Sequence, residues 1–205
     1  MLSVHIVKQL KHFTLDVQFE VNDEIVALYG PSGSGKTTIL NGIAGLTKLT
    51  DGTIKLNDRL FVKDGKPLVP VQKRNVGYVF QSYALFPHMT IWKNIEYAMK
   101  DEQMTKRLIE QLEIDHIIDQ YPKEVSGGEK QRAALIRALA TKPEILLLDE
   151  PFSALDDNTK RKSIEQILMI HENWKIPIIF VSHYQEEVKS LTDRILFIRD
   201  GKLIK

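Results

Sequence analysis

Three groups of residues in this chain have the types and spacing for phosphate chemistry. Gly30-Pro31-Ser32-Gly33-Ser34-Gly35-Lys36-Thr37-Thr38 fits the pattern G-x-x-x-x-G-K-[ST]. Glycines at 30, 33 and 35 let the backbone curl until its N–H groups point at phosphate oxygens, and a following helix N-terminus adds partial positive charge. Lys36 would reach the β- and γ-phosphates, and Thr37 would ligate Mg²⁺. Further on, the apolar run Ile145-Leu146-Leu147-Leu148 ends in Asp149-Glu150. An acid at a strand's carboxyl end can hold Mg²⁺, and its neighbour can orient or deprotonate an attacking water. Between them, Ser126-Gly127-Gly128-Glu129 opens a helix with Ser126 as its N-cap, which offers N–H groups and a positive dipole to an anion. Each group has a plainer reading alone: a Gly/Ser turn, two solvated acids before Pro151, a good helix start. Together they describe a nucleotide hydrolase with two anion-binding helix ends, one more than an ordinary single site needs.

These residues require elements to position them. Residues 24–29 read as a short apolar strand leading into the glycine loop, with a helix from Lys36, which is the setting the loop needs. Other strands are expected at 2–7, 13–21, 53–56, 76–80 and 178–181, with 145–148 a fully buried parallel strand. Residues 57–72 read as a polar, Gly/Pro-bearing stretch. Helical periodicity covers 91–99, 105–113 and 127–140. The fold predicted is an α/β core, preceded by an N-terminal β region and interrupted by a helical lobe. The chain is expected to be one domain over 1–205, with its core at 1–81 and 141–205 and the lobe at 82–140.

Composition sets outer limits. The 205 residues, 43% hydrophobic, can bury a substantial core. A net charge of +1 gives no general drive toward nucleic acid or anionic lipid, so no nucleic-acid partner is expected. With no cysteine there is no disulfide and no thiolate metal site. The apolar runs fall far short of the ~20 residues that span a bilayer, and the start lacks the pattern of a secretory signal. His88, His116 and His171 lack metal-ligand spacing, Trp92 and Trp174 read as core or rim anchors, and Lys160-Arg161-Lys162 reads as a solvated helix face.

The three groups and their order resemble the ATP-binding subunits of ABC transporters over essentially the whole chain. Further motifs match residue by residue. Gln81 resembles the family's glutamine that touches Mg²⁺ and the attacking water. Val125-Ser126-Gly127-Gly128-Glu129 resembles the family signature, with Val where Leu is usual and Glu where Gln is common. Ser153-Ala154-Leu155-Asp156 resembles the loop that crosses between two nucleotide sites, and His183 the switch histidine that senses the γ-phosphate. The resemblance implies a P-loop NTPase core with an antiparallel N-terminal β region. It also implies ATP and Mg²⁺ as ligands and a head-to-tail homodimer in which the signature of one subunit, residues 126–129, closes on the ATP held by 30–38 of the other.

The same resemblance assigns Thr37, Gln81 and Asp149 to Mg²⁺ and Glu150, Gln81 and His183 to catalysis. It places the subunit at the cytoplasmic face of the membrane against a permease that contacts 82–90, with a solute-binding protein as an indirect partner. Residues 77–90 look most like importer ATPases, and 71–81 look most like molybdate or tungstate importers. Sulfate, ferric iron and polyamine importers share much of the pattern. A non-transport ABC ATPase and a small-molecule P-loop kinase are the rivals; the kinase would leave the signature and His183 unexplained. The aromatic residue that usually stacks adenine is missing near Val7, where Phe13, His12 and His5 are the candidates. The chain ends at Lys205, where some relatives continue into a regulatory domain that would allow feedback by cargo.

Overall fold

Alternation along Thr14–Val21, with Leu15, Val17, Phe19 and Val21 buried and the residues between them exposed, marks a strand with one face on the core. In the computed structural model, which describes residues 1–204, the elements in chain order are β1 (Leu2–Gln9), β2 (Thr14–Val21), β3 (Ile25–Tyr29), α1 (Lys36–Ala44), β4 (Asp51–Leu56), β5 (Arg59–Lys63) and β6 (Lys66–Pro67). Next come β7 (Val76–Val79), α2 (Ile91–Glu96), α3 (Glu102–Gln111), α4 (Gly127–Ala140), β8 (Ile145–Asp149) and α5 (Asp157–Trp174). The chain then forms β9 (Ile178–Ser182), α6 (Gln185–Leu191), β10 (Ile195–Arg199) and β11 (Lys202–Ile204). Lys205, the last residue of the expected core, lies outside the described residues.

The elements gather into two compact units, residues 1–74 with 174–204 and residues 75–173. In the first, β1 is paired antiparallel with both β2 and β4, β4 with β5, and β5 with β6, so the expected antiparallel N-terminal region is present. The sheet becomes parallel where β10 pairs with β3 and β3 with β9. Both β3 and β9 are buried along nearly their whole length, as strands covered on two faces must be. Behind the glycine loop, α1 buries Ile39, Leu40 and Ile43 completely, each worth about 1.5–3 kcal/mol of transfer free energy. Gly45 ends α1 in the left-handed region, its N–H returning to Gly42 O.

The buried Arg74 staples that helix end to the β5–β6 region. Its guanidinium donates to Gly42 O, Ile43 O and Val69 O and lies 5.2 Å from the Phe61 ring centre. The polar reading of 57–72 missed β5 and β6. Phe61 and Val62 are buried in succession and the register shifts between Ile54 and Lys55, so the alternation that announces a strand is broken there.

In the second unit, β7 and β8 pair in parallel with Val76 opposite Ile145 and Val79 opposite Leu148. The helical stretch 82–140 falls within this unit together with both strands. α4 covers the residues its periodicity predicts, 127–140. α3 begins three residues before the expected 105, because Asp101 caps it by accepting from Met104 N at 2.9 Å. No helix among the described residues is long and apolar enough to cross a membrane.

Candidate functional site

The glycine loop of the first unit joins β3 to α1, and each glycine answers a different constraint. Gly30 has φ +153°, and a Cβ there would sit 2.0 Å from the backbone oxygen of Ile198 on β10. Gly33 has φ +79° and nothing within 4 Å of its absent Cβ, so this side of the loop is open. Gly35, at φ +106°, is the N-cap of α1 and supplies no side-chain cap. A glycine at that position brings no side chain between the start of the helix and an incoming anion. Lys36 is buried, its Nζ donating to Gly30 O and Pro31 O at 2.8 Å each, which folds the ammonium over the loop. The Ser34 hydroxyl is also buried and has no hydrogen-bond partner among the described residues. A helix start, an ammonium and an orphaned hydroxyl on one loop are the kinds of donor that suit a phosphate.

His183 follows β9 as the loop follows β3. These strands are paired with Tyr29 opposite Ser182, so Gly30 and His183 leave the sheet at the same carboxyl edge, from neighbouring strands. His183 is half-buried, its ring 4.0 Å from that of Tyr184. The candidates for an adenine platform lie in or beside the β1–β2 hairpin. Phe13 packs against Gly201, where a Cβ would meet its ring at 2.5 Å, and His5 Nε2 lies 3.4 Å from an Asp16 oxygen. His12 is exposed in the turn.

In the second unit the parallel pairing of β7 and β8 brings Gln81 and Glu150 together. Gln81 Nε2 donates to Glu150 Oε2 at 2.9 Å. Glu150 has φ +46°, a left-handed conformation that costs a non-glycine residue about 1–3 kcal/mol. The turn after it is closed by Ser153 N and Ser153 Oγ, both donating to Glu150 O. Asp149, at the end of β8, is buried. The Tyr78 phenol is raised well above its ordinary range by burial, then by the Asp149 charge and the hydrogen bond to that carboxylate. Tyr78 thus stays protonated and donates to Asp149, fixing one carboxylate oxygen.

The signature residues sit at the start of α4. Ser126 Oγ accepts from Glu129 N at 3.3 Å, and Ser126 N donates to Glu129 Oε2 at 2.7 Å, a reciprocal capping box. The Ser126 hydroxyl donates to the same carboxylate at 2.7 Å, and His116 Nε2 lies 3.0 Å from the other oxygen. The Ser126 side chain first, then its amide, hold the Glu129 carboxyl below its ordinary value. Gly128 could carry no side chain, since a Cβ would lie 2.5 Å from a Thr159 methyl. In the turn 153–156, Asp156 accepts from Asn158 N and Thr159 N at 3.1 and 3.0 Å at the head of α5.

Two residues not singled out from the sequence organise the segment after Gln81. Asn94, fully buried on α2, accepts from Phe86 N at 2.7 Å and donates to Phe86 O, Met89 O and Thr90 O. Arg137 on α4 donates to Tyr83 O and Ala84 O at 2.8 and 2.7 Å. The helix reads Ile91-Trp92-Lys93-Asn94-Ile95-Glu96, so one more polar residue beside Lys93 gave no signal for Asn94.

A strand, glycine loop and helix with a lysine folded over the loop define a P-loop nucleotide-binding protein of the α/β class. The chain matches the ABC transporter family over residues 13–153 and belongs to it. It is 40% identical to the molybdenum import ATP-binding protein ModC of Haemophilus influenzae, over 98% of this chain and 58% of that protein. It is likewise 40% identical to the sulfate/thiosulfate import ATP-binding protein CysA 2 of Agrobacterium fabrum, over 97% of this chain and 59% of that one. The chain thus spans a little under three fifths of these relatives' length. Among solved structures it is similar to a dimeric ATP-binding cassette in a post-hydrolysis state bound to ADP and Pi, with TM-score 0.84 and 28% identity, covering 100% of this chain and 97% of that one.

Proposed function

We propose that the chain is the ATP-hydrolysing part of an ABC importer, binding ATP with Mg²⁺ and acting as a head-to-tail homodimer on a membrane permease. The observation that carries this reading is the loop 30–38, where an open Gly33, a buried Lys36 ammonium and an unpartnered Ser34 hydroxyl present donors to one concave surface. Lys36, with the loop amides and Thr38 behind them, neutralises phosphate. Thr37, Gln81 and the buried Asp149 supply oxygen ligands for Mg²⁺. These hard oxygen donors would suit the ion. When bound, Mg²⁺ offsets charge developing on the β- and γ-oxygens. Glu150, steered by Gln81, orients and accepts a proton from the attacking water. His183 and residues 126–129 of the second copy close on the γ-phosphate.

Hydrolysis built this way is mainly positioning and electrostatics. Glu150→Gln is expected to keep ATP affinity within about two-fold and to lower turnover by about 10²–10⁴-fold, the usual worth of a general base. Lys36→Ala is the control that loses binding. Wild-type turnover in Glu150→Gln would sink the assignment.

Import is favoured by the names of the relatives, and molybdate or a similar oxyanion is the solute they point to most often. Sulfate is the nearest alternative, with ferric iron and polyamine uptake and a non-transport ABC ATPase behind it. In this reading 1–205 acts as one ATPase domain with 82–140 as its helical part, held peripherally at the cytoplasmic face, and a solute-binding protein delivers cargo to the permease.

The permease contact is assigned to 82–90. Pro87 and His88 are exposed there, Leu85, Phe86 and Met89 are half-buried, and a groove of about 370 Å³ alongside is lined by Phe80, Phe86 and the exposed Tyr97. In membranes containing the permease, Phe86→Glu should abolish uptake while ATPase activity of the isolated chain persists. Equal loss of both would refer Phe86 to the core.

A further inference from the structure

One helix carries the signature glycines at its start and, near its other end, holds the chain that follows Gln81. Arg137 lies roughly 15 Å along α4 from Gly127 at 1.5 Å per residue. Its two terminal nitrogens grip the carbonyls of Tyr83 and Ala84, consecutive residues at φ +60° and +46°. Two left-handed non-glycine residues in a row do not persist without outside constraint. Tyr83 also closes the preceding turn, its N–H donating to Phe80 O at 2.8 Å, with Gln81 inside that turn. Asn94 completes the hold: its Oδ1 accepts from Phe86 N, its two N–H groups are shared among Phe86 O, Met89 O and Thr90 O, and an Arg137 nitrogen lies 3.4 Å from Asn94 Oδ1. The guanidinium also stands 5.6 Å from the Phe86 ring centre.

We propose that Arg137 and Asn94 are positioning residues that hold the turn carrying Gln81, so that its amide stays aimed at Glu150 and the segment 82–90 moves only together with α4. The inference rests on the ATPase reading above. Neither residue touches nucleotide; both act through Gln81. Shifting a reacting group by about 1 Å can cost about 100-fold in rate, so releasing the turn is expected to act on turnover rather than on nucleotide affinity. Lysine replaces arginine only in part here, because one ammonium does not reproduce a planar fork on two successive carbonyls.

The test uses the full chain in three variants, Arg137→Ala, Arg137→Lys and Asn94→Asp, with steady-state MgATP hydrolysis and amide hydrogen exchange read by mass spectrometry. Expected for Arg137→Ala are a kcat lower by at least about ten-fold, a KM for ATP within about two-fold of wild type, and faster exchange confined to 82–90 while 30–38 is unchanged. Arg137→Lys should show the same pattern in weaker form. It serves as the decisive variant if Arg137→Ala does not fold. Wild-type kcat in the folded variants, or a rate loss that tracks the unfolded fraction and spreads exchange over the whole chain, overturns the proposal. If the wild-type chain itself neither binds nor hydrolyses MgATP, the ATPase reading fails and this inference with it; if it hydrolyses ATP and the variants match it, the inference fails alone.

Discussion

Gly30 and Gly33 belong to one motif but are required for different reasons, and substitution separates them. At Gly30 a methyl group would be driven into the Ile198 carbonyl at 2.0 Å, and its φ of +153° is foreign to an L-residue. The neighbouring atom is backbone and cannot swing aside. Gly30→Ala should therefore lose roughly 2–6 kcal/mol of stability, the sum of backbone strain and overpacking at about 1–3 each. At Gly33 the added methyl meets nothing, so Gly33→Ala should lose only the left-handed penalty of about 1–2 kcal/mol. It would also put a methyl where a phosphate must approach the backbone. Thermal melts and ATP titrations on the two variants should show a large drop in melting temperature for Gly30→Ala. For Gly33→Ala they should show a small drop with lost ATP affinity. A Gly33→Ala chain that binds ATP normally would mean that the open side of the loop does not face phosphate.

At the scale of the element, α4 shows what a linear pattern reveals and what it conceals. Its limits and its Ser126 cap were legible because capping and amphipathic spacing are local properties. Arg137 and Asn94 were not, because their partners are carbonyls of a loop set by irregular backbone angles, which leaves no periodic trace. Strand β5 was hidden by the break in alternation at Phe61 and Val62, and β6 is only the exposed pair Lys66–Pro67, too short to show a period. By contrast, the placement of Gly33 and Lys36 in a loop between strand and helix, and of Asp149 and Glu150 at a strand end, was readable from residue type and order alone.

The cap itself gives a pH prediction. Glu129 titrates below its ordinary value of 4.5 because the Ser126 hydroxyl and amide bond its ionised form. A depressed carboxyl contributes stability that is fully present above its unfolded pKa and is lost as pH falls through the folded one. Ser126→Ala should cost about 0.5–2 kcal/mol at neutral pH. The melting-temperature gap between wild type and Glu129→Gln should narrow as pH drops below about 4.5. A gap that is constant from pH 7 to pH 3 would show that the carboxylate charge adds nothing to the cap.

For the whole molecule, the decisive feature is that two glycine-bearing helix starts, at the loop 30–38 and at the signature 126–129, are carried by one chain. The two belong to different compact units, residues 1–74 with 174–204 and residues 75–173. A two-fold dimer lets each copy lend its signature to the other's nucleotide with a single self-complementary surface. An interface completed by nucleotide would link association to ATP and be reversed by its hydrolysis. Light scattering on Glu150→Gln should therefore show a doubling of mass only when ATP and Mg²⁺ are both present. Lys36→Ala should stay monomeric throughout, and wild type should dimerise only transiently while ATP lasts. Adding Ser126→Arg to Glu150→Gln would place a bulky cation at the signature without touching the loop that binds ATP. If that double variant still binds ATP but no longer dimerises, the signature is the contact that closes the dimer. If it dimerises as well as Glu150→Gln alone, the second anion-binding helix start has some other task, and the two-site arrangement is wrong.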